Sequence, residues 1–150
     1  MAPEAATALN PIELRLRGGM LALNRLIMTF LSKRMPVAGL TVGRDGEALR
    51  ATIVLDCPPE TARRYAALLS GLEDVEGIEL AGETVEVALL EAGGEAWRET
   101  AERAGISAHE EGGTVVASGD PEKMEAWLGT LEADDIVRLG PVARPGDGGE

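Results

Sequence analysis

Residues 37–56 read VAGLTVGRDGEALRATIVLD, and this stretch decides the fold. Two strand-like runs, Val37–Gly43 and Ala48–Asp56, flank the tetrapeptide RDGE. Asp45-Gly46 is a favoured pair in hairpin turns, because glycine adopts a positive φ at little cost. The stretch therefore predicts an antiparallel β-hairpin.

A strand and a helix are predicted on the amino-terminal side of this hairpin. Apolar and polar residues alternate over residues 12–16, which is typical of a strand with one buried face. Gly18-Gly19 interrupts this alternation, and residues 20–34 then read as a helix that Pro36 is expected to end. The apolar residues at helical spacing are Leu23, Leu26, Ile27, Phe30 and Leu31.

A helix and a strand are predicted after the hairpin. The stretch PPETARRYAALLSGLED, residues 58–74, places prolines at a helix start and Glu60 in the first turn. The stretch VEGIELAGETVEVALLEA, residues 75–92, returns to alternation, and Gly82 marks a break in it. Residues 12–80 therefore predict the order βαββαβ, in which an antiparallel sheet carries both helices on one face.

The rest of the chain repeats this order. Strands are predicted at residues 85–90, 106–109, 114–118 and 135–139. Helices are predicted at residues 95–104 and 120–131, and the second begins with Asp120 as the cap and Pro121 at the first helical position. The predicted fold class is thus α+β, with two consecutive ferredoxin-like βαββαβ units.

The predicted domain limits follow from this repeat. We expect a flexible arm at residues 1–10, a first domain at residues 11–81 and a second domain at residues 82–143. The sequence RPGDGGE, at residues 144–150, is predicted to be a disordered tail.

Composition narrows the functional classes. The formal net charge is −12, which argues against general binding to nucleic acid or to an anionic membrane. The acidity is explained either by solubility or by a partner with a basic surface. Neither a long apolar run nor a cleavable signal is evident at the start of the sequence, so we expect no membrane association and a cytoplasmic location.

Few residues here are suited to catalysis. The single cysteine, Cys57, excludes an internal disulfide and is expected to be a small buried residue. The single histidine, His109, stands beside two glutamates and is expected in an exposed turn. We therefore predict no catalytic residue, no metal site and no cofactor. Trp97 and Trp127 are expected in the core or at its rim, with a partner contact as the alternative.

Several motifs, in this order and at this spacing, resemble the small, regulatory subunits of acetolactate synthase, whose first domain is an ACT domain. FLSKRMPVAGLTVG is similar to that family's first helix end and second strand, and ATIVLD is similar to its third strand. TVVASGDPEKMEAWLGTL and DIVRLGPVAR resemble a strand–turn–helix segment and the closing segment of the second unit. The resemblance spans roughly residues 12–146 and places Arg138 at the arginine of the closing segment.

This resemblance implies a function. Such subunits bind a branched-chain amino acid, usually valine, at the ACT dimer interface, and they activate and feedback-regulate the catalytic subunit. The thiamine diphosphate and the chemistry belong to that partner. By implication the chain is a non-catalytic homodimer, and its expected effector-binding residues are Gly18, Gly19, Met20, Leu21, Pro36 and Val37.

One part of the effector loop departs from the family pattern. The family reads E-N-x-x-G-[VA]-L between the first strand and the first helix. An ungapped count puts Gly18 at the asparagine and Leu21 at the glycine, whereas a gapped count puts Gly19-Met20-Leu21 on the final triplet. Either count lacks the asparagine that accepts from the ligand's ammonium group, so the loop either binds a ligand or is a plain corner.

Three functional hypotheses remain open at the level of sequence. The first is a regulatory subunit of acetolactate synthase, with or without effector binding. The second is a stand-alone amino-acid-binding ACT protein that regulates another enzyme. The third is a small enzyme, which the shortage of His, Cys and aromatic residues disfavours.

Overall fold

The computed structural model describes residues 9–91, 93–133 and 135–145. These residues form two compact units, one that runs to Glu83 and includes residues 143–145, and one that spans Thr84–Val142. Residues 1–8 of the predicted arm and residues 146–150 of the predicted tail lie outside the described residues.

The first unit has the predicted βαββαβ order. Its elements are β1 (Leu9–Leu16), α1 (Gly19–Ser32), β2 (Val37–Asp45), β3 (Ala48–Asp56), α2 (Pro59–Ser70) and β4 (Val75–Leu80). The strands lie in the order β2-β3-β1-β4, and all neighbouring strands are antiparallel. The hairpin closes where Asp45 pairs with Ala48, so Gly46 and Glu47 make the turn, one residue beyond the predicted Asp45-Gly46 pair.

Both helices of the first unit cover the same face of its sheet. The strand residues of this core are Ile12, Leu14, Leu16, Ala51, Ile53 and Leu55. The buried helix residues that meet them are Ala22, Leu26 and Phe30 from α1 and Ala62 and Leu69 from α2. Their spacing follows the two-residue period of a strand and the 3.6-residue period of a helix.

One predicted core residue of α1 faces away from the sheet. Leu31 is 67% exposed, although Leu26 and Phe30 are buried. At 100° per residue, Leu31 lies about 140° from the centre of the buried stripe formed by Ala22, Leu26 and Phe30. The apolar run in this helix is therefore wider than the face that the sheet can cover.

Two boundaries in the first unit differ from the predicted ones. β1 begins at Leu9, because Leu9 and Asn10 already pair with Asp56 and Leu55. The last two residues of the predicted arm therefore belong to the sheet. α2 ends at Ser70 rather than at residue 74. Its last turn closes at Gly71, and residues 71–74 form the α2–β4 turn.

α1 also ends before the proline that was expected to stop it. The amide of Met35 donates to the carbonyl of Phe30 over 3.0 Å, and the amide of Arg34 donates to that of Leu31 over 3.2 Å. Arg34 has a φ of 53°, so these bonds form a Schellman motif with an arginine in the left-handed position. Met35 is buried, in keeping with the apolar contact that accompanies this motif.

The second unit repeats the same order. Its elements are β5 (Thr84–Leu90), α3 (Ala96–Ala104), β6 (Ser107–Glu111), β7 (Thr114–Gly119), α4 (Pro121–Leu128) and β8 (Ile136–Ala143). The strands lie in the order β6-β7-β5-β8. Asp120 caps α4, since its Oδ2 accepts from the amides of Glu122 and Lys123 over 3.1 and 3.2 Å. The predicted fold class, two ferredoxin-like units of the α+β class, is confirmed.

The second core is built around its two tryptophans. Trp97 and Trp127 are 2% and 1% exposed, so both lie in the core, as one of the two expectations held. The indole nitrogen of Trp127 donates to Oγ1 of Thr100 over 3.0 Å, which satisfies its buried N–H group. Neither side chain is available as a surface contact for a partner.

Three boundaries of the second unit also differ from the predicted ones. β6 continues through Glu111, which leaves only Gly112 and Gly113, both with positive φ, to make the turn. α4 stops at Leu128, where Gly129 is the C-cap residue. β8 continues to Ala143, four residues beyond the predicted end.

Candidate functional site

The candidate effector loop is the corner between β1 and α1. Gly18 has a φ of 99° and Gly19 a φ of 61°, so the paired glycines occupy conformations that other residues rarely adopt. A Cβ atom on Gly18 would also lie 3.3 Å from the Cβ of Ala22. The corner by itself explains the two glycines, whether or not a ligand binds there.

The start of α1 is open to solvent at this corner. Met20 and Leu21 are 73% and 63% exposed, and Gly18 provides no side chain to cap the helix. The first amides of a helix have no partner within it, and the helix dipole gives this end a partial positive charge. These amides are suited to a small anionic group such as a carboxylate.

The expected binding residues fall into two separate groups within one protomer. Gly18, Gly19, Met20 and Leu21 lie together at the beginning of α1, whereas Pro36 and Val37 follow its far end. A helix of 14 residues is about 20 Å long.

The pairing of the strands gives the same separation. Leu16 at the exit of β1 is level with Arg44 of β2, since both pair with Leu49. Val37 is level with Asn10, since both pair with Leu55. The two groups of expected binding residues therefore lie at opposite ends of the sheet.

A residue that the sequence analysis did not identify adjoins the loop. Asp74, in the α2–β4 turn, accepts from Nε of Arg25 over 2.6 Å and from Nη2 of the same arginine over 3.0 Å. The backbone carbonyl of Asp74 also accepts from the amide of Arg17 over 2.8 Å. The α2–β4 turn is thus bonded both to the exit of β1 and to the first half of α1.

This ion pair is electrostatically well defined. The hydrogen bond and charge of Arg25 lower the pKa of the Asp74 carboxyl, and Asp74 in turn raises the pKa of Arg25. Side-chain exposure is 56% for Arg25 and 19% for Asp74, so one partner reaches into solvent while the other is largely covered. Both groups are charged at neutral pH.

The outer face of α1 is largely apolar although it is exposed. Met20, Asn24, Met28 and Leu31 follow one line along the helix, at intervals of four, four and three residues. Met28 and Leu31 are 57% and 67% exposed. We call these four residues the outer stripe of α1.

The edge strand beside this helix is also exposed. β2 lies at one edge of the sheet, and Leu40 on β2 is 36% exposed. α2 packs over β4 and β1 at the other edge, so α1 occupies the half of the sheet nearer to β2. Exposed apolar surface of this kind is typical of a contact with another protein.

The other residues of interest have structural roles. Cys57 is buried, and its burial raises the pKa of the thiol. His109 is exposed on β6, where its Nε2 lies 2.8 Å from Oε2 of Glu111. Arg138 bonds to the buried carboxylate of Glu86, and its Nη1 donates to Oε1 of Glu125 over 2.6 Å.

Two kinds of feature are absent from the described residues. Among residues 9–91, 93–133 and 135–145, no group of three or more His, Cys, Asp or Glu side chains is placed to hold a metal ion. In the same ranges, no helix has the length and apolar character that crossing a membrane requires.

A comparison with solved structures identifies a protein of similar fold. The crystal structure of the acetolactate synthase small subunit from Thermotoga maritima matches with a TM-score of 0.75, over 91% of this chain and 96% of that chain. Sequence identity is 15%, so this likeness shows the fold alone. No protein-family model and no curated protein matched the sequence.

Proposed function

We propose that this protein is a non-catalytic regulatory subunit of an acetolactate synthase. In this proposal it binds the catalytic subunit, activates it, and makes it sensitive to a branched-chain amino acid such as valine. The observation that carries the proposal is the fold shared with the Thermotoga maritima small subunit over both units and over nearly the full length of each chain.

The proposal includes a homodimer built on the edge strand β2. If two copies pair their β2 strands in antiparallel fashion, the start of one strand lies beside the end of the other. Leu16, two residues before Gly18, is level with Arg44 of its own β2 and would then lie near the level of Val37 of the second copy. The two separated groups of expected binding residues would thus approach each other across this pairing.

The apolar surface supports the same arrangement. Pairing through β2 would satisfy the free backbone groups of an exposed sheet edge. Leu40 lies on that edge and would become buried, and the outer stripe of α1 offers further exposed apolar surface to a second copy. Burial of apolar side chains is the main favourable contribution to association.

In this dimer the corner at Gly18 and Gly19 would serve as the effector loop. The partial positive charge at the start of α1 would favour the carboxylate of the amino acid, and Met20 and Leu21, together with Val37 of the second copy, would form an apolar wall over the bound ligand. Pro36 lies next to Val37 and would complete this wall.

Reconstitution tests the proposal directly. The full chain is mixed with the acetolactate synthase catalytic subunit of the same organism, and acetolactate formation is measured with and without valine. We expect the chain to raise the rate and valine to lower the raised rate. A catalytic subunit that neither binds the chain nor changes its rate would rule the proposal out.

A second candidate function is favoured by one observation. Both alignments of the loop lack the family's asparagine, which leaves Gly18 or a neighbouring residue in its place. A chain that activates without sensing, or an ACT protein that regulates another enzyme, fits this departure. In the reconstitution, activation without any valine effect supports the first of these, and binding of valine without activation supports the second.

A further inference from the structure

A recess lies on the inner side of the candidate effector loop. It has a volume of about 220 Å³ and lies between α1 and the α2–β4 turn. Its apolar walls are Leu16, Ala22, Leu26, Leu72 and Val75. Drug-sized ligands occupy pockets of roughly 300–1,000 Å³, so this recess suits a smaller apolar group.

One cation, Arg25, and two anions, Glu73 and Asp74, line this recess. Arg25 and Asp74 both line it, and they form the two-point ion pair described above. A Cβ atom on Gly18 would lie 3.6 Å from Oδ1 of Asp74 and 3.9 Å from Nη2 of Arg25. Glycine at position 18 therefore leaves the ion pair uncovered, where any longer side chain would extend over it.

We propose that Arg25 and Asp74 together bind the two head groups of a free amino acid whose small apolar side chain enters the recess. Arg25 would take the carboxylate, since a guanidinium binds a carboxylate through two parallel hydrogen bonds. Asp74 would accept from the ammonium group, which carries three donors and no acceptor. Asp74 would thus accept from the ammonium group in place of the asparagine of the family pattern.

The ion pair can open for this exchange at little cost. Arg25 is more than half exposed, and exposed ion pairs contribute little to stability. A zwitterionic ligand restores both charge contacts after it separates the two side chains. Leu16, Ala22 and Leu26 lie buried beneath the recess, and the half-buried Leu72 and Val75 are the walls that an entering apolar side chain would cover.

This inference rests on the proposed function, because it assigns the head-group contacts of the same amino-acid effector at the same loop. The second copy of the dimer described above would contribute only to the apolar wall over the ligand. All of the residues that hold the head groups belong to one protomer.

Ligand analogues test the inference on the unaltered protein. Calorimetric titration of the full chain is carried out with L-valine, L-leucine and L-isoleucine. The tightest binder is then compared with its amide, which lacks the carboxylate, and with its N-acetyl derivative, which lacks the ammonium group. We expect each analogue to bind at least tenfold more weakly. Equal binding of the analogues, or no binding by any of the three amino acids, would overturn the inference.

Two variants assign each head group to its residue. Asp74→Asn is expected to weaken binding of the amino acid at least tenfold but to change binding of the N-acetyl derivative little. Arg25→Gln is expected to weaken binding of the amino acid at least tenfold but to change binding of the amide little. Arg103→Gln is the matched control, since Arg103 forms an exposed pair with Glu99 on α3. Circular dichroism establishes that each variant is folded, and the analogue series decides the question if one is not.

The same preparations separate this inference from the proposed function. Activation of the catalytic subunit by a chain that binds no amino acid contradicts the inference and leaves the regulatory role standing. Head-group-dependent binding by a chain that does not affect acetolactate formation supports the inference and contradicts the regulatory role. Variants that bind all ligands as the unaltered chain does would overturn the assignment to Arg25 and Asp74.

Discussion

Gly18 fixes the corner from which the candidate site is built. Its φ of 99° belongs to a region where an L side chain is strained, and a Cβ atom there would press against Ala22. We expect Gly18→Ala to lower the free energy of unfolding by about 1–2 kcal/mol. Urea unfolding followed by circular dichroism measures this change.

Gly77 provides the control for that substitution. It lies in β4, and a Cβ atom added to it would meet nothing within 4 Å. Gly77→Ala should therefore leave the free energy of unfolding unchanged or raise it by up to about 1 kcal/mol, because alanine reduces the entropy of the unfolded chain. A Gly18→Ala variant as stable as Gly77→Ala would contradict the role given to the corner.

Asp74 links stability to pH in a direction that follows from its pKa. Because Arg25 lowers the pKa of Asp74 in the folded state, the pair contributes its full stabilisation of the folded protein at pH values above the ordinary Asp pKa of about 3.9. This stabilisation is lost as the pH falls through the lower, folded-state pKa. Asp74→Asn should therefore be less stable than the unaltered protein at neutral pH and equally stable in strong acid. Two stability curves that stay parallel down to acid unfolding would disprove this linkage.

Arg138 neutralises a buried carboxylate. Glu86 is 5% exposed, and Arg138 bonds to it and to Glu125. Arg138→Gln should lower the free energy of unfolding by about 2 kcal/mol, because it leaves Glu86 with a weaker partner. The exposed pair of Arg103 and Glu99 is the comparison, and Arg103→Gln should cost no more than about 0.5 kcal/mol.

A double variant tests the cause of that loss. Combining Arg138→Met with Glu86→Leu removes the buried charge together with its partner and should recover most of the stability. If the double variant is as unstable as Arg138→Met alone, the lost stability does not come from the charge of Glu86.

At the scale of elements, α1 has two faces that meet different surroundings. Its inner face is buried against the sheet, and its outer stripe is exposed and apolar. We expect Met28→Lys to weaken dimerisation at least tenfold, because a dimer contact there would bury the ammonium group without a partner. Analytical ultracentrifugation over a concentration series measures the dissociation constant.

Leu68 offers a matched control for the outer stripe. It is 38% exposed on α2, the helix that packs over the opposite half of the sheet. Leu68→Lys introduces the same charge and should leave dimerisation unchanged. If Leu68→Lys weakens dimerisation as much as Met28→Lys does, the outer stripe is not the dimer contact.

Elements with a strong local signal could be predicted from the sequence, and their ends could not. The hairpin at Gly46 and the cap at Asp120 depend on residues adjacent in the chain. α1 ends where Met35 and Phe30 bond in a Schellman motif, with Arg34 rather than glycine in the left-handed position. An arginine gives no local signal for such an end, so the proline beyond it was expected to stop the helix.

The residues of the candidate site also divide into those with a local sequence signal and those without one. Gly18 and Gly19 were found because paired glycines interrupt an alternating pattern. Asp74 was missed because it meets Arg25 across 49 residues, and only the folded turn after α2 brings the two together. The expectation that Pro36 and Val37 join the loop came from resemblance, and it remains a prediction that requires a second copy of the chain.

At the scale of the whole molecule, each unit has its own core. Gly18 belongs to the first unit and Arg138 to the second. The effects of substitutions at sites with no shared partners add within about 0.5 kcal/mol. We therefore expect the Gly18→Ala and Arg138→Gln losses to sum in the double variant, as measured by calorimetric unfolding. A loss well above or below that sum would show that the two cores are coupled.

The placement of the two tryptophans has a practical consequence. Both indoles lie in the core of the second unit, and the first unit has only Phe30 and Tyr65 as aromatic residues. Intrinsic fluorescence excited through indole therefore monitors the second unit alone, with no label attached. A change in this emission when an amino acid binds at the Gly18 corner would show that binding in the first unit alters the core of the second.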